Sequence, residues 1–589
     1  MHRLPPALLL ALSLPACGDS GTSTASDSTT AGPTTPTAAS TSGDQTPTTA
    51  GPGDPGSSDG GGGNTDVLTS TTAATATTTA AESTTTAVTA TTTAAETTAP
   101  ETTTTDTTQA CVCTPGEVSG CNPNGDLLVC GDDCLGFGPV PCDPGLSCVN
   151  GVCSAESDLC ALAEATPSSI GCSFLGARQD NYDYANIDSL VVGNTSKTDV
   201  ADVQLYFVAE GTNVEVPLGA PVAVMPGKSA EFKMDNQPFK KVSGLRKGGV
   251  YRVQSSIPVV AYQHSPINGQ ATNDSSMLLP EHALKQDHVI ASYRDTVGGE
   301  DRPSYFNVIA TTDGTTVEWT PPIATTPGNG VPAVAANQTG MVVMNRFDMM
   351  QVRVADDQDI TGTYVHADKP IWVVGGVNCA FIPANQYACD HCEEQILPLD
   401  YWGKQYVGAH SPLRGSEKHY WRIFGGDDGT VVTATPAVPG SPVMVNKGQW
   451  KELVLPTATS TIFSSDKPFL AVQYLESQEG GGGNGDPAMY QMIPVEQFLS
   501  SYAFVTGVGY DSHYVQVIRK QGNPDVLVDG VVVGNYYAVG NYEVSDVKIS
   551  EGPHFAESAA PFGIVSVGYT GFTSYAYPGG LKLAVINPQ

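Results

Sequence analysis

Residues 378–395, NCAFIPANQYACDHCEEQ, bring together side chains that are capable of chemistry. Cys379, Cys389 and Cys392 are three of the chain's 14 cysteines, and Cys389 and Cys392 form a C-x-x-C pair that encloses His391. Thiolates and imidazoles at this spacing bind zinc or form a redox dithiol, and two such cysteines can also be joined by a disulfide. The surrounding sequence has to decide among the three.

The residue types favour a disulfide staple. Zinc needs four ligands, and the adjacent His391 and Cys392 fit poorly in one tetrahedron, so no metal site is predicted. A redox C-x-x-C usually lies at a helix N-terminus near a βαβ pattern, which is absent here. A disulfide from Cys379 to Cys389 or Cys392 would close the loop between them and stabilise the folded state by about 2.5–3 kcal/mol. Which of the two pairs with Cys379 stays open.

Other catalytic motifs are scarce. Residues 160–589 contain no G-x-S-x-G elbow, no H-E-x-x-H and no Walker A motif. The GGGGNG run at 480–485 satisfies G-x-G-x-x-G, but no helical segment follows it, so it is interpreted as a loop. Glu393 and Glu394 are the best carboxylate pair for a glycan hydrolase, yet neighbours on a strand point apart. We therefore predict a protein that is not an enzyme and holds no cofactor, with an extracellular glycan-acting hydrolase as an alternative.

Charge and hydropathy narrow the compartment and the partners. The chain has 589 residues and a formal net charge of −33. Such a charge argues against nucleic acid, whose phosphates demand Lys and Arg. No apolar run is long enough for a transmembrane helix.

The N-terminal sequence MHRLPPALLLALSLPAC predicts export. Arg3 precedes a short apolar stretch, and LPAC resembles a lipobox, so residues 1–16 are interpreted as a lipoprotein signal peptide. Cys17 would carry the lipid and anchor the chain to a membrane. An ordinary secretory signal is the alternative. The lipoprotein interpretation places the protein in the bacterial cell envelope, membrane-anchored and surface-exposed.

Two segments separate the anchor from the body. Residues 17–110 are rich in Thr, Ser, Ala and Gly, and this low-complexity stretch is predicted to be a disordered tether. Residues 111–153 are predicted to form a small disulfide knot. Cys160 and Cys172 are predicted to pair with each other. One thiol among the three in 378–395 is then left over, and if exposed it is a candidate for intermolecular bonding. The knot contains eight cysteines: Cys111, Cys113, Cys121, Cys130, Cys134, Cys142, Cys148 and Cys153.

Residues 160–589 show the short alternating apolar runs of an all-β domain. A strand–turn–strand piece with a proline after the turn recurs about every hundred residues, at Pro258, Pro370, Pro468 and Pro561. A second piece is interpreted as a recurring hairpin because of its Asp-Gly or Gly-Thr steps, at 207–216, 308–319 and 423–434 and, in degenerate form, at 517–528. These pieces predict about four repeats, arranged as tandem sandwich-like units or, alternatively, as a closed propeller-like ring.

A third piece contains an apolar run, a proline and a strand that enters the next repeat. Its prolines are Pro280, Pro398 and Pro494. Alignment on them makes CDHCEEQ correspond to ATNDSSM (271–277) and GDPAMYQ (485–491), neither of which has Cys or His. Loops 264–276, 379–394 and 477–490 are therefore equivalent, and we expect them to gather on one face as a contact surface.

Three stretches also carry a family resemblance: SSIPVVAYQHSPINGQATNDSSMLLPEHALKQDHVIASY, CDHCEEQILPLDYWGKQYV and SYAYPGGLKLAVINP. They resemble the IgGFc-binding protein N-terminal domain family over about residues 160–589. The resemblance implies a binding or adhesive extracellular domain without known catalysis. Position 392 is usually hydrophobic in that family, so no role transfers to Cys392.

The sequence thus predicts a lipid-anchored cell-surface protein that displays a repetitive β domain for adhesion or for recognition of an extracellular protein or glycan. The competing hypotheses are the glycan-acting hydrolase and a purely structural envelope or matrix component.

Overall fold

A computed structural model of the chain describes residues 113–121, 126–143, 146–149, 151–154, 159–269, 271–295, 299–384 and 386–589. All of these residues belong to one compact unit, Thr103–Gln589. The predicted signal peptide, the anchor Cys17, the tether and Cys111 lie outside the described residues. Within the described ranges, no helix is long and apolar enough to cross a membrane.

The cysteine-rich segment folds into two small sheets. A three-stranded antiparallel sheet contains β1 (Val118–Cys121), β2 (Leu127–Cys130) and β3 (Phe137–Val140), and a hairpin contains β4 (Ser147–Val149) and β5 (Val152–Ser154). Cys134 is also disulfide-bonded. The helix α1 (Leu159–Ala165) follows. Four disulfides join Cys113 to Cys130, Cys121 to Cys148, Cys142 to Cys153 and Cys160 to Cys172.

The body is built from strands in four successive segments, which confirms the all-β prediction, since the residues that the structure describes are 50% strand and 3% helix. The first segment contains β6 (Gly171–Gly176), β7 (Asp188–Asn194), β8 (Ala201–Val208), β9 (Glu215–Pro217), β10 (Val222–Val224), β11 (Ser229–Met234), β12 (Ser243–Lys247), β13 (Val250–Ser265) and β14 (Asp274–Met277). The second contains β15 (Lys285–Val289), β16 (Ser304–Ala310), β17 (Thr315–Thr320), β18 (Gly328–Asn329), β19 (Gly340–Met344), β20 (Asp348–Arg353), β21 (Tyr364–Ala380) and β22 (Asp390–Gln395). The third contains β23 (Gln405–Gly408), β24 (His419–Gly425), β25 (Thr430–Thr435), β26 (Val443–Val445), β27 (Trp450–Leu455), β28 (Thr461–Ser464), β29 (Phe469–Tyr474) and β30 (Met489–Gln491). The fourth contains β31 (Leu499–Val505), β32 (Ser512–Lys520), β33 (Leu527–Val528), β34 (Val531–Val532), β35 (Tyr537–Val539), β36 (Tyr542–Ile549), β37 (Pro553–Thr570) and β38 (Thr573–Pro578).

Each segment contributes one antiparallel row of four strands with the same order. The four rows are β11-β7-β13-β14, β20-β16-β21-β22, β27-β24-β29-β30 and β36-β32-β37-β38. A second, shorter sheet in each segment pairs the other end of the long strand, as when β21 pairs with β17 and β15. The shared strand order concerns how the strands pair and does not test whether the sequence itself repeats. The number of sequence repeats therefore stays a prediction.

The recurring prolines lie where a strand changes sheet, which corrects the predicted strand–turn–strand piece. Strand β21 pairs with β17 up to Ala367 and with β16 from Ile371, and Pro370 lies between them. Pro258 and Pro561 occupy the same place in β13 and β37. Proline cannot donate to a ladder, so it fits the point where pairing with one sheet ends and pairing with the other begins. Only at Pro468 is the long strand interrupted, between β28 and β29.

The predicted hairpins are wrong in three of their four places. The glycines at the tips of 308–319 and 423–434 do adopt positive φ, 64° at Gly314 and 65° at Gly429. The strands on either side of those tips do not pair with each other: β16 and β17 pair with different parts of β21, and β24 and β25 lie in separate sheets. Likewise β32 and β33 pair with different parts of β37. The turn residues specify a tight reversal, but they do not specify whether the reversed strand pairs with its predecessor or crosses to the facing sheet.

The innermost strands of the four rows close a ring. Strand β14 contacts β22 and β38, and β30 contacts the same two strands. The chain end completes the circuit, because the Ser169 amide donates to the Leu581 carbonyl at 2.9 Å. This closure matches the propeller-like alternative, while the two sheets in each segment match the sandwich-like units.

The strand burial pattern follows from these layers. Strand β25 lies at the outside and alternates buried and exposed residues, whereas β24 is buried along its whole length. One apolar core contains residues of all four segments, including Val260 and Tyr262 of the first, and a separate cluster around Phe174 and Val253 lies within the first. Short 3-10 helices, at Glu281–Ala283, Leu399–Tyr401 and Val495–Gln497, lead each chain crossing into the next segment, as the third recurring piece predicts.

Candidate binding surface

The C-x-x-C stretch forms one of the four innermost strands. Residues 390–395 are β22, and Cys392 lies opposite Val377 of β21. Every residue of β22 is buried, because its flanks contact β14 and β30. The stretch therefore contributes to the centre of the ring, and no helix N-terminus lowers the pKa of its thiols.

The disulfide joins Cys379 to Cys389 and closes the loop that precedes β22. Cys392 has no disulfide partner and is 0% exposed. Burial raises the pKa of the Cys392 thiol well above its ordinary value, and the neighbouring Asp274 raises it further. The leftover thiol is thus buried and protonated, which corrects the expectation of an exposed thiol available for intermolecular bonding.

This pairing predicts a simple thiol count. The native chain should yield a peptide with Cys379 bonded to Cys389, and Cys392 should react with an alkylating reagent only after denaturation. Since two of the four nearby zinc ligands are consumed and His391 Nδ1 contacts the Val377 carbonyl at 3.0 Å, elemental analysis should show no stoichiometric zinc. One zinc per chain, or rapid native labelling of Cys392, would overturn the assignment.

The carboxylate pair of the hydrolase hypothesis is inaccessible. Glu393 and Glu394 are 0% and 1% exposed. Glu393 accepts a hydrogen bond from Gln263 at 3.2 Å, and Glu394 accepts one from Ser276 at 3.2 Å. Their contacts lie within the ring, so neither carboxyl can reach a substrate from solvent.

Buried carboxyls link the inner strands to one another. Asp274 accepts the amide of Glu393 at 3.1 Å and that of Met489 at 2.9 Å, so one carboxyl of β14 binds β22 and β30. Asp390 accepts the Thr573 hydroxyl at 2.9 Å, which ties β22 to β38. Burial raises the pKa of Asp390 well above its ordinary value, and the neighbouring Asp486 adds to the rise.

Burial also raises the pKa of Asp486 to about 7, although the Gln478 amide and Arg414 oppose the rise. Burial thus favours the protonated form of these carboxyls, which is a hydrogen-bonding group and a poor metal ligand. In the described residues, no group of three or more His, Cys, Asp or Glu side chains could hold a metal ion. The cluster is therefore a structural feature of the ring.

The three loops expected to form a contact surface do lie together. In the first loop Ile267 accepts the amide of Val508 at 3.0 Å, and in the third the Glu479 amide donates to the Tyr387 carbonyl of the second at 2.6 Å. The fourth segment also takes part, because the Gly485 amide donates to the Thr570 carbonyl at 2.8 Å. We call their common surface the loop face. It comprises the described residues of 266–272, 379–389, 478–486, 506–511 and 570–573.

Most of the three loops is buried, and two of the large side chains that the loop face exposes are aromatic. Tyr387 is 61% exposed and Phe572 is 46% exposed. The Tyr387 ring centre lies 6.3 Å from that of Phe381 and 6.3 Å from that of Phe572. We call these three residues the aromatic triad. It spans the second and fourth segments, which the sequence separates by almost two hundred residues.

The backbone holds the triad in place. The Cys379–Cys389 disulfide encloses Phe381 and Tyr387, and the Tyr387 amide donates to the Glu479 carboxylate at 3.1 Å. Phe572 adopts φ 64°, a left-handed conformation that costs a bulky residue about 1–3 kcal/mol and favours glycine. A large exposed apolar ring in a strained turn gives no folding benefit, which points to a role in binding.

Sequence reasoning located the loops but missed the triad. Tyrosine is frequent throughout the chain, and nothing in the sequence separates Tyr387 from the buried tyrosines of the core. Phe572 belongs to the turn between β37 and β38, outside the three equivalent loops. Its position after Gly571, where a second turn glycine would be expected, is the one signal available.

Comparison with known proteins places this surface in a family. The family model for "IgGFc binding protein" matches residues 274–568. This chain belongs to the IgGFc-binding protein family. The match begins at β14 and ends within β37, so it includes the stapled loop and three of the four innermost strands. It is narrower than the resemblance over 160–589, and Phe572 lies just beyond it.

A human relative supports the assignment over a longer stretch. The chain is 23% identical over 430 residues to the Homo sapiens IgGFc-binding protein. The aligned part is 70% of this chain but only 8% of the human protein. The chain therefore spans a small fraction of the length of that curated relative.

Proposed function

We propose that this chain is an exported binding protein whose β ring presents the loop face to an extracellular protein. The observation that carries the proposal is the aromatic triad, whose Tyr387 and Phe572 rings are exposed and which the Cys379–Cys389 staple and the strained Phe572 turn hold in place. Aromatic residues are enriched at the centres of protein interfaces, where they act as rigid anchors. Family membership supports the same class of function.

The charge of the loop face narrows the kind of partner. Its five ranges contain no Lys or Arg, and the exposed carboxylates include Glu479 and Asp511. The whole chain carries −33. An acidic contact patch would be repelled, so the proposed partner has an apolar centre with a neutral or basic rim.

The N-terminal part of the proposal concerns display. Cys17 would hold the chain on the membrane, and residues 17–110 would carry the knot and the ring away from it. These segments lie outside the described residues, so their role rests on the sequence. Adhesion and a cell-surface location follow if the anchor and the loop face act together.

The test is a binding array probed with the full chain. The array should contain extracellular proteins, including immunoglobulin Fc, beside mucin and plant glycans. We expect at least one protein to bind. Binding to glycans alone would contradict a protein partner, and an absence of any ligand, with loss of cell cohesion on gene deletion, would favour a structural component instead.

Variants on the loop face make the test specific. The double change Tyr387→Ser and Phe572→Ser should weaken partner binding by about tenfold or more, since aromatic anchors contribute about 2 kcal/mol or more each. The fold should be unaffected because both rings are exposed. The matched control is Met444→Ser with Val531→Ser, two side chains that are 75% and 69% exposed outside the loop face. Equal affinity of the two double variants would place the binding site elsewhere.

A further inference from the structure

A second candidate site lies at the other end of β21. A polar cavity of about 710 Å³ is lined by residues of β15, β17 and β21 together with Asp400 and Lys447. Tyr364 and His366 begin the 17-residue strand that ends beside the stapled Cys379. The cavity is therefore distinct from the loop face and contributes nothing to the aromatic triad.

The cavity carries an excess of negative charge. Asp287, Glu318, Asp368 and Asp400 line it, and Lys447 is the only Lys or Arg among its lining residues. Among the described residues, Glu318, Asp368 and Asp400 form no ion pair. Burial raises the pKa of Asp400, and the nearby Asp287 adds to the rise although Lys285 and Lys447 oppose it.

Hydrogen bonds to Asp287 hold side chains at the wall of the cavity in place, but no Lys or Arg side chain donates them. Asp287 is 8% exposed, accepts the Tyr364 hydroxyl, and lies 2.9 Å from His366 Nδ1. His366 is directly opposite Glu318 across the strand pair. The Asp287 contacts hold the Tyr364 ring at the wall of the cavity.

The protein already places one ammonium group in this cavity. Lys447 Nζ lies 5.1 Å from the centre of the Tyr364 ring and donates to Gln589 Oε1 at 2.6 Å. An ammonium over an aromatic face, surrounded by carboxylates, is a recurring mode of cation recognition. Lys447 is exposed and lies in the connection between β26 and β27, so its side chain can move away from the Tyr364 ring when another cation binds.

We propose that this cavity binds the ammonium or guanidinium group of a basic side chain, with Tyr364 as the aromatic wall and Glu318 and Asp400 as the counter-charges. Lys447 occupies the site from within and competes with the ligand. The site adds a recognition point for Lys or Arg that is independent of the loop face.

The test uses the full chain and fluorescently labelled tetralysine, followed by anisotropy, with fully acetylated tetralysine as the neutral probe. Glu318→Gln with Asp400→Asn should weaken tetralysine binding about fivefold or more, because two counter-charges are lost. The control pair Glu164→Gln with Asp202→Asn removes the same charge from exposed positions outside the cavity and should leave the affinity nearly unchanged.

The Lys447→Met variant tests most directly whether Lys447 competes with the ligand. It removes the internal competitor and should tighten tetralysine binding about threefold or more, whereas Tyr364→Leu should weaken it. Equal losses in the two double variants would mean only diffuse attraction to an acidic chain and would overturn the proposal. So would unchanged affinity in Lys447→Met, or equal binding of the acetylated probe. None of these outcomes bears on Tyr387 or Phe572, so the two proposals fail separately.

Discussion

Replacing Arg422 with methionine should lower the free energy of unfolding by about 3–5 kcal/mol, the range for breaking a buried charge pair. The Arg422 side chain is 3% exposed and contacts Asp359 at 2.9 Å and Glu452 at 3.2 Å. It also donates to the Ser292 carbonyl at 2.7 Å, and its guanidinium lies 4.1 Å from the Trp450 ring centre. These contacts tie the second segment to the third, and methionine would leave the two carboxylates without their cation.

The measurement is a denaturant titration of the full chain, with Arg519→Met as the matched control. Arg519 also binds two carboxylates, Glu543 at 2.7 Å and Asp525 at 3.2 Å, and its guanidinium lies 4.1 Å from the Tyr536 ring centre. Asp525 is 63% exposed, and Arg519 makes no comparable link between segments. Its loss should cost about 1 kcal/mol. Similar losses for the two variants would show that Arg422 does not join the segments.

Replacing Asp486 with asparagine should stabilise the protein, and increasingly so as the pH rises. The unfolded carboxyl releases its proton near pH 4, whereas burial raises the folded pKa of Asp486 to about 7. A raised carboxyl pKa contributes stability that is present below about pH 4 and is lost as the pH rises toward 7. Asparagine never ionises, so its advantage should grow by about 1.4 kcal/mol for each pH unit and reach roughly 4 kcal/mol.

The difference between variant and wild type removes the contribution of groups that Asp486 does not affect, whereas the pKa of Asp390, which Asp486 raises, falls in the variant and adds to the difference. Buried histidines such as His264 and His391, whose pKa values burial lowers to about 3 and about 4, act in the opposite direction but cancel in the difference. The side-chain oxygen of the introduced asparagine can also accept the hydrogen bond from the Gln478 backbone amide, which is 2.9 Å long in the wild type. The surface change Asp202→Asn controls for loss of a charge. A difference that stays constant from pH 4 to pH 8 would show that Asp486 is ionised in the folded protein.

Local pattern was enough to predict the class of fold but not its closure. Alternating apolar runs and turn residues predicted β structure, and the structure bears this out. The prediction for the prolines was wrong, because a proline fits any position without a ladder hydrogen bond. A turn and the point where a strand changes its pairing partner both offer such a position, and Pro370 lies at the second. Ring closure depends on contacts such as Ser169 with Leu581, between residues separated by almost the whole body, and no local signal encodes them.

The candidate site divides in the same way. Comparison of the equivalent loops predicted a staple, and the structure selects Cys389 over Cys392 as the partner of Cys379. In the alignment Cys392 takes the place of Asp274 in the first loop and of Ala488 in the third, so the thiol occupies a position that is buried in all three copies but polar in only one of the other two. The triad could not be predicted, since Phe572 comes from a different segment and only the ring brings it to Tyr387.

The most direct test of the account is hydrogen–deuterium exchange of the full chain with and without the protein partner that the array identifies. The aromatic triad predicts slower exchange on binding in peptides that cover 379–389 and 570–573, with little change around Met444 and Val531. Protection confined to other surfaces, or none in these two peptides, would contradict the claim that the stapled loop and the Phe572 turn form the binding surface.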